Sequence, residues 1–173
     1  MQNILLLCLL PLAAFAAPGR FEQRDLPSHT PVNVKDLDSD FDVKCGKTTV
    51  TGSSILKAVS WGVNLQRADQ QVGRDGGSQY PHYYGNDQSQ ANPQPGRFKF
   101  PNADCNKYPQ NLRNEFPITK DGTYEGGDEG LYRAIYLHDK NSDTDIEGNP
   151  TAYYCGTIYH SGDNFEGCDV TKN

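Results

Sequence analysis

Apolar positions fall into helical register once along this chain. In SSILKAVSWGVNLQRADQQ, Ile55, Val59 and Val63 recur at helical spacing, with Ser53 or Ser54 as a cap and charge on the other side. Downstream the pattern turns to alternation. LYRAIYL and AYYCGTIYH alternate, and the turn-rich DKNSDTDIEGNP between them fits an antiparallel pair. TTVTG suits a short strand, Tyr80 to Tyr84 is short and aromatic, and ANPQPGRFKFP leads from a loop into a strand. NEFPI is a further strand that Pro117 confines to an edge or a bulge. The glycine-rich run from Val72 to Ser78 reads as loop or turn. One helix followed by strands predicts an α+β domain, the helix packed on a twisted antiparallel sheet.

The stretch before this pattern has another character. An apolar run from Ile4 to Phe15, followed by small residues, reads as a secretory signal over residues 1–17, too short to span a bilayer. The mature protein is therefore expected to be soluble and extracellular, a monomer with no membrane partner. Residues 18–44 hold four Lys or Arg and six Asp or Glu with almost no apolar periodicity, and read as a flexible leader or pro-segment. Residues 45–173 have the length of one domain with one core.

Cysteine usage adds a constraint that periodicity does not. Cys8 leaves with the signal, and Cys45, Cys105, Cys155 and Cys168 remain; an even number in a small secreted domain predicts two disulfides rather than a metal site. Three pairings are open on this count. Net charge is −6, and a domain with this acidic balance lacks the basic footprint of tight nonspecific nucleic-acid binding. A nucleic acid would be gripped locally, as a substrate is. DKNSDTDIEGNP begins like a calcium loop, but Thr144 stands where the turn needs glycine and Pro150 where the bidentate glutamate belongs, so it reads as a solvated turn. His29 and His138 read as ordinary surface residues.

The candidate chemistry lies in His82, Glu115, Arg133 and His160. On a strand, Arg133 faces away from Tyr132 and Ala134, and neighbouring strands turning the same face inward would bring a carboxylate, a guanidinium and two imidazoles together. Two titratable groups supply a base and an acid, and a fixed cation stabilises a phosphate gaining charge. With no cofactor and no nucleophilic side chain, the matching reaction is attack on a phosphodiester by a hydroxyl the substrate carries, as RNA carries its 2′-OH.

YPHYYGN, EFPI, YEGGDEGLYRAIY, YYCGTIYHSG and NFEGC, in that order from Cys45 to Cys168, resemble the motifs of the secreted guanyl-specific fungal ribonucleases and their sarcin-type ribotoxin relatives. The resemblance implies Glu115 as general base, His160 as general acid, His82 as an orienting group or second base, and Arg133 with Tyr80 on the phosphate. Phe165 would line the site, and Tyr84, Gly85, Asn86 and Asp87 would read the base, with guanosine expected. It also implies disulfides Cys45–Cys168 and Cys105–Cys155. A carboxylate near His160 is expected to raise its pKa, placing the optimum from mildly acidic to neutral.

The chain departs from that pattern in places. Where guanyl-specific relatives end the recognition segment in a base-binding glutamate, Tyr84 is followed by Gly85, Asn86, Asp87 and Gln88. The loop between His160 and Phe165 is also shorter than theirs. Ribotoxins carry long lysine-rich loops, whereas between Cys105 and Glu115 the cations here are Lys107 and Arg113, which disfavours targeting the ribosome by the same electrostatics and leaves ribosomal RNA as a second expected substrate. The expected partner is single-stranded RNA, cleaved through a 2′,3′-cyclic phosphate. The alternatives are a ribotoxin-like effector and a non-cleaving protein of the same fold that binds RNA or a host partner.

Overall fold

The computed structural model describes residues 25–38, 40–85, 98–106, 112–120 and 123–171, so the expected signal at 1–17 lies outside it. The elements in order are β1 (Asn33–Lys35), β2 (Val43–Cys45), β3 (Thr48–Val50), α1 (Gly52–Arg67), β4 (Val72–Gly73), β5 (Gln79–Tyr80) and β6 (His82–Tyr83). A 3₁₀ turn (Ala103–Asn106), β7 (Arg113–Ile118), β8 (Tyr132–Leu137), β9 (Thr151–Ser161) and β10 (Asn164–Gly167) follow.

Helix α1 starts at Thr51 rather than at either serine: the Thr51 side chain accepts from the Ser54 amide, satisfying one of the donors a helix start leaves unpaired. A helix this short is marginal alone and is held by packing. Ile55, Val59 and Val63 are wholly buried, with Ala58, Trp61 and Leu65, against Phe116, Ala134, Tyr136 and Tyr154 of the sheet. Each such aliphatic side chain contributes roughly 1.5–3 kcal/mol by leaving water. Gly62 permits the close approach, since a Cβ there would stand 2.9 Å from the Tyr136 hydroxyl and 3.1 Å from the Phe116 ring. Phe98, Phe100, Cys105, Ile135, Cys155 and Ile158 form a second cluster on the other side of the sheet.

The main sheet runs β1-β9-β8-β7-β6, with β10 also on β9. The β8/β9 pair is antiparallel, as the alternation predicts, and β7 joins it antiparallel with Pro117 opposite Arg133. Strand β6 reaches only Asn114 and Glu115, so Pro117 lies beyond it, where β7 is an edge. The Val72–Ser78 run is more ordered than a loop: β4 pairs with β5 in a small hairpin.

Three further expectations need correction. The sheet is mixed, not wholly antiparallel, because β1 pairs in parallel with β9. This strand comes from the stretch read as a flexible leader. The Asn64 side chain donates to the Thr30 carbonyl, Val32 and Val34 pack on the core, His29 stacks on Trp61 at 4.2 Å, and Val43 is buried. His138 is not a surface residue either, being fully buried. Its Nδ1 donates to the Thr151 carbonyl at 2.7 Å.

Burial holds His138 below the ordinary histidine pKa, the Thr151 hydrogen bond only partly opposing it. The unfolded chain therefore binds a proton near pH 6.5 that the folded chain refuses. Stability should rise with pH from the lowered folded value to about 6.5, and this group should add no slope above that. Urea midpoints across this range should lose that part of their slope in His138→Gln; an unchanged slope would contradict the assignment.

The cysteines pair as Cys45–Cys168 and Cys105–Cys155. The first joins β2 to the residue after β10. The second starts at a bulge in β9, where the register with β8 passes from Gly156 to Tyr154 and leaves Cys155 out of the ladder. The 139–150 turn uses its own carboxylates: Asp139 accepts from the Asn141 amide and the Ser142 hydroxyl, and Asp145 from the Glu147 and Asn149 amides.

Candidate active site

Strand alternation sends Phe116, Ala134 and Tyr136 to the helix and leaves Glu115, Arg133 and His160 for the opposite face. Register then sets their neighbours. His82 is paired with Glu115 across β6/β7, Arg133 lies beside Ile158 across β8/β9, and Phe165 lies beside His160 across β9/β10. Glu115, Arg133 and His160 therefore share one face of the sheet, with His82 beside Glu115.

Glu115 is nearly buried, and its Oε1 meets His82 Nε2 at 2.9 Å. Its other oxygen, Oε2, is buried with no hydrogen-bond partner among the described residues. A buried acceptor left unpaired is costly, and in a folded protein it calls for an explanation. The His82 ring lies 4.8 Å from that of Tyr80, whose hydroxyl accepts from Arg133 Nε at 3.2 Å. Arg133 is 1% exposed, and the Tyr80 ring lies under its guanidinium at 5.3 Å. The His160 and Phe165 rings are 3.9 Å apart.

The histidines are tuned in opposite directions. Burial pulls His82 down, but the Glu115 hydrogen bond and charge, with the Tyr83 carbonyl, outweigh it, so His82 ends above its ordinary value. His160 moves the other way. Burial and then the Arg133 charge hold it below the ordinary value, against the pull of Glu115 and Glu129. The expectation of a raised His160 is corrected: the carboxylate acts mainly on His82, which touches it. Burial raises Tyr80 despite Arg133, so its phenol stays protonated at neutral pH and its O–H can donate.

Of the expected base-reading residues, Tyr84 and Gly85 are placed, and Asn86 and Asp87 lie outside the described residues. Tyr84 meets Phe100 edge to face. Its carbonyl and that of Gly85 each accept from Arg113 at 2.9 Å, and Arg113 also donates to the Cys105 carbonyl at 2.6 Å. Arg113, counted in the sequence only as a cation between Cys105 and Glu115, is 3% exposed. One guanidinium thus fastens the start of that segment to the disulfide-bearing turn. Its signal was its position two residues before Glu115, on the same face of β7. Glu129, the other residue missed, contacts Arg133 Nη2 through Oε1 at 3.1 Å.

This face holds a carboxylate with one uncommitted oxygen, two imidazoles of opposite tuning and a buried cation. Such a set can take a proton, deliver another and hold negative charge. Among the described residues no group of three or more His, Cys, Asp or Glu is placed to hold a metal ion.

A family model described as ribonuclease matches residues 38–169. The guanyl-specific ribonuclease C2 of Aspergillus clavatus is 30% identical over 136 residues, covering 78% of each chain. The guanyl-specific ribonuclease Ap1 of Aspergillus pallidus is 36% identical over 98 residues, 56% of this chain and 77% of that one. A solved ribonuclease from Hericium erinaceus aligns with 75% of this chain and 99% of its own, at 22% identity and a TM-score of 0.38.

Proposed function

The chain belongs to the ribonuclease family, and we propose that it is a secreted, metal-independent endoribonuclease that cleaves single-stranded RNA with guanosine as the preferred base. The observation that carries this reading is the buried, unpartnered Glu115 Oε2 on the same sheet face as Arg133 and His160. In this reading Glu115 removes the 2′-OH proton as that oxygen bonds to phosphorus. His160 protonates the departing 5′ oxygen as its bond to phosphorus breaks, leaving a 2′,3′-cyclic phosphate that water later opens. Arg133 and Tyr80 hold the phosphate, and His82 orients Glu115 or shares its role. Base, acid and cation are all protein groups, so no step calls on a metal.

Guanosine preference is supported by the relatives' names and by the placing of Tyr84 and Gly85 beside the site, with Asn86 and Asp87 next in the chain. Phe165, against His160, is suited to line the base or sugar. Two disulfides suit an oxidising compartment, in keeping with residues 1–17 as a signal. Digestion of homopolymers and of dinucleotides GpN, ApN, UpN and CpN tests the base: GpN should be cut fastest, and equal rates would overturn the preference.

The histidine tuning sets a pH profile. The working form has Glu115 ionised and His160 protonated. Because His160 sits below its ordinary value, kcat/KM should begin to fall on the alkaline side before about pH 6.5. In the substrate complex the phosphate charge favours the imidazolium, so the alkaline limb of kcat should lie at higher pH. Steady-state rates from pH 3 to 9 check both; a kcat/KM that climbs through pH 8 would contradict the assignment of His160.

A further inference from the structure

We propose that the Glu129 carboxylate holds the substrate phosphate's place on Arg133 in the free protein, so that RNA binds by displacing a side chain of the protein. This rests on reading Arg133 as the phosphate-binding cation. Four contacts fix the guanidinium without the Glu129 side chain. Nε donates to the Tyr80 hydroxyl, and Nη1 to the carbonyls of Glu129, Gly130 and Tyr132 at 3.1, 2.9 and 3.0 Å. The carboxylate is therefore not needed to aim Arg133. It engages the remaining nitrogen, Nη2, at 3.1 Å.

A carboxylate oxygen on a guanidinium nitrogen makes the charge-assisted contact that a phosphate oxygen would make. Its place is right for such a stand-in. The charge of Glu129 acts on both Tyr80 and His160, the groups that flank the phosphate in the proposed mechanism. It is also able to leave: the Glu129 side chain is 30% exposed, whereas Arg133 is 1% exposed. Gly127 and Gly130 on either side adopt φ of +87° and +61°, and a Cβ at either would meet nothing within 4 Å. Open space therefore lies beside the segment, into which the carboxylate can turn outward while the Glu129 and Gly130 carbonyls stay on Arg133.

An anion that must first displace an internal ligand binds with its affinity reduced by the fraction of molecules in which that ligand is off. Removing the charge should remove the penalty. A residue that served only to orient Arg133 would have the opposite effect, because its loss would weaken anion binding.

Titration calorimetry with inorganic phosphate on the intact protein, Glu129→Gln and Glu129→Ala reads the difference. The phosphate dissociation constant should fall about tenfold in both variants. In the same titration of 15N-labelled wild type, the Arg133 Nε–H resonance should move as phosphate is added. If that resonance moves but the variants bind phosphate equally or more weakly, displacement is overturned while Arg133 keeps its role. If it does not move at saturation, the phosphate role of Arg133 fails and displacement fails with it.

Discussion

Replacing His160 with glutamine should lower kcat/KM by about 10²–10⁴-fold, and Glu115→Gln should do so toward the lower end of that range. The difference comes from the neighbours. Glutamine at 115 keeps a polar contact for His82 but has no basicity, and His82, 2.9 Å away and partly exposed, can accept part of the base's task. The ring in contact with His160 among the described residues is Phe165 on β10, which cannot deliver a proton in its place. Because base and acid act in one step, the double variant should lose little more than His160→Gln alone. Initial rates on a short RNA, with circular dichroism confirming the fold, settle this. Full activity in both single variants would remove Glu115 and His160 from the mechanism.

Opening the Cys45–Cys168 disulfide should have the largest effect on stability. It closes a sequence separation of 123 residues, for which the chain-entropy relation gives about 5 kcal/mol. Domains of this size have a total of only about 5–15 kcal/mol, so Cys45→Ala/Cys168→Ala should be largely unfolded when warmed to 37 °C. The Cys105–Cys155 bridge closes a separation of 50 residues and should contribute about 4 kcal/mol. Its loss should show in function as well, because the Cys105 carbonyl is one of three that fix Arg113, and Arg113 holds Tyr84 and Gly85. Urea unfolding of the two double-alanine variants checks the order, and RNA digestion at low temperature checks the second effect. If the Cys45–Cys168 variant lost under 1 kcal/mol, the linkage of the domain's ends would not be what holds it.

Much of the fold was legible because it rests on long periodic segments. Ile55, Val59 and Val63 announced α1, and the alternation of β8 and β9 put Arg133 on the face opposite Ala134. Strand β1 was illegible for the opposite reason. Three residues give too little alternation to be read, and its hold on β9 depends on Val34 and His29 finding the core and Trp61. His138 looked like surface because it borders a polar turn, yet it is buried and meets the Thr151 carbonyl at the other end of that same turn. The candidate set itself came from residue chemistry and a resemblance together. Its tuning could not, since the direction of the His160 shift depends on the distance to Arg133 and on burial. Arg113 and Glu129 were missed because their partners are mainly backbone carbonyls and one guanidinium, which no motif encodes.

The central claim is transphosphorylation by the substrate's own 2′-OH, and product analysis tests it most directly. A GpN-containing oligonucleotide incubated with the mature protein in chelator should yield a guanosine 2′,3′-cyclic phosphate end and a free 5′-OH, and the same oligonucleotide with 2′-O-methyl guanosine should stay intact. Cleavage of the methylated substrate, or a product bearing a 5′-phosphate, would contradict the account.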